Sequence, residues 1–228
     1  MTKIDNTARN QKLLDKFIED NQGISCVVNR KLLFGIGIND ADYAISPTID
    51  GKRVMCVFYQ TWTDMIERCY SPKYQERCPT YKGCIICDEW HSFMNFKRWM
   101  VGQDHEGKQL DKDILVIGNK IYSPDRCVFV SQSINKLLTD RGAKRGIYPQ
   151  GVSRQRGEYK ARVSINGKGT HIGRYTTVQE AEAAYIKAKS TNIIIKALEQ
   201  SSTKLMKALV THAKHMRTHF ECKQQAMA

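Results

Sequence analysis

Gly151-Val152-Ser153-Arg154-Gln155-Arg156-Gly157-Glu158-Tyr159-Lys160-Ala161-Arg162-Val163-Ser164-Ile165-Asn166-Gly167-Lys168-Gly169-Thr170-His171-Ile172-Gly173-Arg174-Tyr175 decides the fold of the C-terminal half. Gly157 and the Asn166-Gly167 pair punctuate it at hairpin spacing. They predict three antiparallel strands over 151–155, 158–165 and 169–175. Along the middle strand Tyr159, Ala161, Val163 and Ile165 point one way, and Lys160, Arg162 and Ser164 the other. A helix is expected from about Thr177, where Ala181, Ala184, Tyr185 and Ala188 make a small-residue face suited to lie on a sheet. One face of the sheet is then apolar and the other basic. Arg154, Arg156, Arg162 and Arg174 are expected to converge on the basic face. A small sheet fits the DNA major groove, where arginine reads guanine edges and clamps phosphates.

The order and chemistry of these residues resemble the ethylene-response-factor type of DNA-binding domain. The resemblance runs over about forty residues, from Gly151-Val152-Ser153-Arg154 through His171-Ile172-Gly173-Arg174-Tyr175 to Glu180-Ala181-Glu182-Ala183-Ala184-Tyr185. It implies a three-stranded sheet in the major groove of double-stranded DNA, backed by one helix. Arg154, Arg156, Tyr159, Lys160, Arg162, Lys168 and Arg174 would be the contacting residues. Two departures, Tyr159 where the family often has Trp and Tyr175 where it has Phe, bear on base preference more than on fold.

Upstream, residues 110–135 read as strand, loop, strand, helix: a strand over 110–117, another over 126–130 and a helix over 131–140. Asp111 and Asp113 on the first strand can hold a hard divalent cation such as Mg²⁺, with Asn135 completing an oxygen ligand set. The layout, with Asp111, Tyr122, Pro124, Cys127, Phe129 and Asn135, resembles the His-Asn-His (HNH) endonucleases of bacteriophages and prophages. Trp62 to Tyr70, Pro79-Thr80-Tyr81, Cys84 and Glu89-Trp90 with Phe93 and Phe96 resemble their lead-in. Together with the sheet module this is similar to a freestanding homing endonuclease. The resemblance implies a metal-dependent hydrolysis of DNA phosphodiester bonds by Asp111, Asp113, Arg126 and Asn135. Lys112 stands where many relatives carry a general-base His, and Arg126 where an Asn is expected. Lys112 is a poor base at neutral pH unless its pKa falls well below ~10.4. Asp113, His91 or His105 are alternative bases, and Arg126 can stabilise the pentacovalent phosphate. The competing reading is a DNA-binding regulator on a nuclease scaffold that has lost catalysis.

Residues 60–70 and 88–101 read as helices. Trp62, Met65, Ile66 and Cys69 on the first, and Trp90, Phe93, Phe96 and Trp99 on the second, fall at core spacing rather than as a base-stacking platform. Residues 1–21 read as a polar helix with Leu13, Leu14, Phe17 and Ile18 on one face. Residues 24–58 read as short strands and turns, including the apolar pair Val27-Val28. Residues 202–220 read as a basic amphipathic helix whose His212, His215 and His219 share a face, as solvated histidines or as metal ligands.

The chain of 228 residues carries 36 Lys+Arg against 23 Asp+Glu, a formal net charge of +13. That balance favours a polyanionic partner. No stretch approaches the ~20 apolar residues of a membrane span, and the N-terminus lacks the apolar core of a secretory signal. A cytoplasmic protein, of a bacterial host if phage-encoded, is expected. Its eight cysteines are then reduced thiols. Cys84-Ile85-Ile86-Cys87 has metal-ligand spacing, with Cys127 and either Cys78 or Cys69 available to complete a structural Zn²⁺ site. The isoleucines favour a buried strand with core thiols. The expected fold is α+β: a region of unknown role over 1–59, an HNH-like ββα module over 60–140, a linker over 141–150, the DNA-binding domain over 151–200 and a basic helical tail over 201–228.

Overall fold

The computed structural model describes residues 3–21, 30–139 and 147–226. Cys26, Val27-Val28 and the basic part of the expected linker, residues 141–146, lie outside the described residues. The chain is α+β, as expected, and divides into two compact units: Met1–Asp113 with Gly118–Phe129, and Ile114–Ile117 with Val130–Ala228.

The first unit runs α1 (Lys3–Asp20), a hairpin of β1 (Thr48–Ile49) and β2 (Lys52–Arg53), α2 (Val57–Tyr70), α3 (Pro72–Arg77), β3 (Ile85–Ile86), α4 (Phe93–Val101), β4 (Gln109–Asp111) and β5 (Ile121–Tyr122). Single 3-10 turns at Pro79–Tyr81 and Asp88–His91 flank β3, which pairs in parallel with β5. Trp62, Met65, Ile66 and Cys69 are buried, and so are Trp90, Phe93, Phe96 and Met100. The aromatic stripe is therefore core. Trp62 Nε1 donates to the Trp90 carbonyl at 2.8 Å, so the one polar atom of that ring is satisfied inside the core.

Residues of the 1–59 region belong to this same core. Leu14, Ala41, Val54 and Cys56 are buried in the cluster around Trp62. The Gln11 side chain accepts the Val57 N–H at 2.9 Å, supplying the cap that Cys56 lacks at the start of α2. The expected helix over 88–101 is interrupted at Ser92. This hydroxyl caps α4 by accepting the Asn95 N–H, and donates to Asp40, whose other oxygen accepts the Met94 N–H.

One expected strand is much shorter than the sequence pattern suggests. The apolar run to residue 117 predicts strand over 110–117, but β4 ends at Asp111. The Asp111 carboxylate accepts the Asp113 N–H at 2.9 Å, an Asx turn that removes the chain from the ladder. The loop then closes on Asn119, whose amide donates to the Lys112 carbonyl at 2.6 Å. β4 pairs with β6 (Val128–Val130), and α5 (Gln132–Leu138) follows, capped by Ser131.

In the second unit, β7 (Val152–Gln155), β8 (Glu158–Ile165) and β9 (Lys168–Tyr175) form an antiparallel sheet in the order β7-β8-β9. Both connections are two-residue turns with positive φ at each position, Arg156-Gly157 and Asn166-Gly167, the geometry that matches strand twist. α6 (Val178–Leu198) starts on a capping box between Thr177 and Glu180 and packs on β8 and β9; α7 (Thr203–Gln225) packs along α6. Ala181 and Tyr185 are buried on α6, as the small-residue face predicts. Ala161 and Val163 are buried on β8, and Leu205, Ala208, Leu209 and Ala213 on α7. Of the tail histidines, the His212 ring nitrogen Nε2 meets the Ile114 carbonyl at 2.9 Å, while His215 and His219 are exposed neighbours.

Gly151 is the tightest junction in this unit. Its φ is +77°, and a Cβ there would lie 2.1 Å from Tyr185 Cδ2 and 2.7 Å from the Arg162 carbonyl oxygen. The Arg162 N–H donates to the Gly151 carbonyl at 2.8 Å, so the backbones cannot separate without losing a ladder bond. Gly151→Ala is expected to destabilise the second unit by roughly 2 kcal/mol or more, combining left-handed strain with overpacking. Calorimetry should show the loss as a lower melting transition, and an unchanged transition would contradict the packing described.

Candidate nucleic-acid interface

The site follows from the sheet's period of two. α6 covers the side of β8 carrying Ala161 and Val163, so alternation sends Lys160, Arg162 and Ser164 to the opposite side. Directly opposed residues of antiparallel strands share a side. Lys160 faces Ser153 on β7 and Arg174 on β9, and Arg162 faces His171. Lys160, Arg162 and Arg174 therefore form one cationic row across the middle and edge strands, with His171 among them. The register shifts between Ala161 and Arg162, where β9 carries Ile172 as an extra residue. Without that bulge His171 and Arg174, three residues apart, would fall on opposite faces.

Two features orient the arginines. The Arg162 guanidinium lies over Gly169 and donates to its carbonyl at 3.1 Å. A Cβ on Gly169 would stand 2.5–2.7 Å from the guanidinium atoms. Arg174 reaches the Glu158 carboxylate at 3.5 Å, an exposed contact that orients more than it stabilises. Gly169, Glu158 and His171 were not legible as site residues. Their roles depend on the register across the turn, which one strand read alone does not reveal.

Three residues expected at the interface, Arg154, Tyr159 and Lys168, lie on the other side of the sheet. Arg154 opposes Tyr159, and the pair shares the Ala161 side. The Arg154 guanidinium stands 5.8 Å from the Tyr159 ring centroid, and Tyr148 packs edge-on against the same ring. The pleat thus separates Arg154 from Arg162. Lys168, exposed beside the second hairpin turn, opposes Ile165 and so shares the Ala161 side as well, while Arg156 is exposed at the first turn.

In the central region, Asp111, Asp113 and Arg126 belong to the first unit and Asn135 to the second. Lys112 is buried, and its ammonium donates to Asp113 at 3.0 Å and to the Asn119 carbonyl at 3.1 Å. Burial pulls its pKa down. The charge and hydrogen bond of Asp113 outweigh that and hold it above the usual lysine range. Lys112 is therefore a fixed cation at neutral pH and cannot replace the general base. Arg126 donates to the Asn119 side chain at 3.1 Å, whose amide also bonds the carbonyls of Lys112 and Ile121. Asn119, which carries this loop, had only its place after Gly118 to mark it.

At the expected cation site one oxygen of Asp113 meets the Lys112 ammonium and one oxygen of Asp111 accepts the Asp113 N–H. Of the alternative bases, His105 stacks on Phe58 at 5.2 Å between ring centroids and meets the edge of Phe129. Cys84 and Cys127 are buried and Cys87 is half-buried. Burial raises all three thiols, Cys127 to about 12, which favours the protonated form of a core thiol. Among the described residues, no group of three or more His, Cys, Asp or Glu side chains is gathered together.

Lys112→Met should destabilise the first unit by roughly 1–2 kcal/mol at pH 7, a figure reduced because Asp113 is half-exposed. The folded-state pKa of Lys112 is raised. Its contribution is therefore complete below the unfolded value of ~10.4 and disappears as pH rises through the folded value. Urea midpoints of wild type and variant should differ at pH 7 and converge in the alkaline range above ~10.4; a gap that persists there would contradict the ion pair. No family model, curated protein or solved structure matches this chain.

Proposed function

We propose that this chain binds double-stranded DNA through the exposed face of the β7–β9 sheet, with Lys160, Arg162 and Arg174 toward the major groove. The observation that carries the reading is the register. It collects these cations on the one sheet face that α6 leaves uncovered. Arginine presents a planar fork that matches guanine edges and phosphates, and lysine adds a point charge. His171 lies in the same row, and Arg156 lies at the adjoining β7–β8 turn. The net charge of +13 supports a polyanionic partner. Among the described residues no helix is long and apolar enough to cross a membrane.

The resemblance to phage HNH homing endonucleases extends the proposal to metal-dependent cleavage of that DNA, encoded by a phage or prophage and acting in the host cytoplasm. The buried ion pair of Lys112 and Asp113 favours the second reading, a regulator that binds DNA on an HNH-like scaffold without cutting it.

Anisotropy with labelled duplexes tests the first part. Arg162→Ala is expected to weaken binding by ~1–3 kcal/mol at a preferred sequence and to relax base choice there. Lys160→Ala should weaken binding to all sequences alike and reduce the salt dependence by about one phosphate. Wild-type affinity in both variants would rule out this face. Plasmid nicking with Mg²⁺ or Mn²⁺ tests the second part, against an Asp111→Ala, Asp113→Ala, Asn135→Ala variant that retains DNA binding. Cutting by wild type and not by the variant supports the endonuclease. Binding without cutting, across both metals and DNA from the source genome, supports the regulator.

A further inference from the structure

We infer that the first unit carries a phosphodiester-binding site of its own, built on Arg68, Arg77 and Lys120 around the rings of Tyr74 and Tyr81. The site adds a second contact surface to the duplex-DNA reading and rests on that reading for its ligand.

The local sequence explains how the groups meet. α2 buries Trp62, Met65, Ile66 and Cys69, which leaves Arg68 beside the core face at its last turn. Ser71 then stops α2 and caps α3, accepting the Tyr74 N–H at 3.2 Å. Tyr74 on α3 meets Tyr81 edge to face, with ring centroids 5.7 Å apart. The Arg68 guanidinium stands 5.9 Å from the Tyr81 centroid, and the buried Tyr122 hydroxyl helps hold its charge. Arg77 stands 4.9 Å from the Tyr74 centroid. The Lys120 ammonium donates to the Thr80 carbonyl at 2.5 Å, next to Tyr81.

The charges of this cluster are not balanced from within. Lys112, 5.9 Å from the Tyr81 centroid, is paired with Asp113. Among the described residues no carboxylate lies within ion-pairing distance of Arg68, Arg77 or Lys120. Tyr122 is no substitute, because burial raises its pKa and keeps the phenol neutral. The half-buried Arg68 guanidinium has no counter-charge beside it, and a phosphate supplies both the charge and the two acceptor oxygens that the fork fits. The cations follow successive ring contacts along α3 and the Pro79–Tyr81 turn. That spread suits a run of backbone phosphates better than one free phosphate. The half-buried tyrosine rings add hydroxyl donors for phosphate and sugar oxygens and apolar faces for bases or sugars.

The test uses the full chain and a labelled random-sequence duplex titrated across a range of salt. Arg68→Gln with Arg77→Gln is compared with a sheet variant, Lys160→Ala with Arg162→Ala and Arg174→Ala. The arginine pair is expected to weaken binding and to lower the slope of log affinity against log salt by about two. The same drop is expected in the background of the sheet variant. Wild-type affinity and slope in the arginine variant would overturn the inference while leaving the sheet reading intact if the sheet variant loses binding. Loss in the arginine variant with wild-type binding in the sheet variant would uphold the inference and overturn the sheet reading. Inorganic phosphate at matched ionic strength should compete no better than chloride; strong competition would mark a free-anion site and overturn the DNA assignment. Should Arg68→Gln lower the thermal midpoint through Tyr122, the exposed pair Arg77→Gln and Lys120→Gln is read by the same slope criterion.

Discussion

The second unit depends on one close approach, the Tyr185 ring seated where Gly151 has no side chain. That contact brings α6 down on the start of β7 and, through the Gly151–Arg162 backbone bond, onto the middle of β8. Once α6 covers Ala161 and Val163, the pleat leaves no freedom for the alternate residues. Lys160 and Arg162 must face away. The cationic row is thus a consequence of where apolar surface is buried. Charge repulsion within the row is accepted because burial on the other side outweighs it.

The first unit is organised differently. Its strands are only two or three residues long, and no sheet supplies a continuous core. Aromatic side chains do so instead, Trp62 against Phe93 and Trp90 against Phe96. Polar crosslinks then fix the loops that the short strands cannot. Asp40 holds the cap of α4, Gln11 the start of α2, and Asn119 the loop from Lys112 to Ile121. Helices anchored this way can carry cations at the core's edge, as Arg68, and on their outer sides, as Arg77, without losing the core.

The parts of the molecule most legible in the sequence are those with strict periodicity. Gly157 and Asn166-Gly167 place both hairpins, and alternation along β8 separates its two sides. The spacing of Trp62, Met65, Ile66 and Cys69 identifies a buried helix face. What alternation cannot carry across is a register shift. Arg154 reads as a neighbour of Arg162 but opposes Tyr159, and His171 joins the row only because Ile172 bulges. Hydrophobicity alone misleads at residues 114–117, where an apolar run looks like more strand. The turn is made by the Asp111 side chain, and that choice lies in a hydrogen bond rather than in a pattern. The Arg68 cluster was equally hidden, because it is assembled from segments distant in sequence, and Asn119 because its local loop bonds follow no period.

The placement of Ile114–Ile117 has a consequence for modularity. This four-residue segment belongs to the second unit, though residues on both sides of it belong to the first. Ile114 is buried, and its carbonyl meets His212 on α7. The backbone therefore passes between the units three times, at residues 113–114, 117–118 and 129–130. No single cut separates two complete pieces. A gene fragment beginning at the sheet would leave behind part of the lining of its own helix pair. The inheritance of the second unit by another protein would then require more than transfer of the chain's C-terminal half. The two units are bound to evolve as one chain, whatever each of them touches.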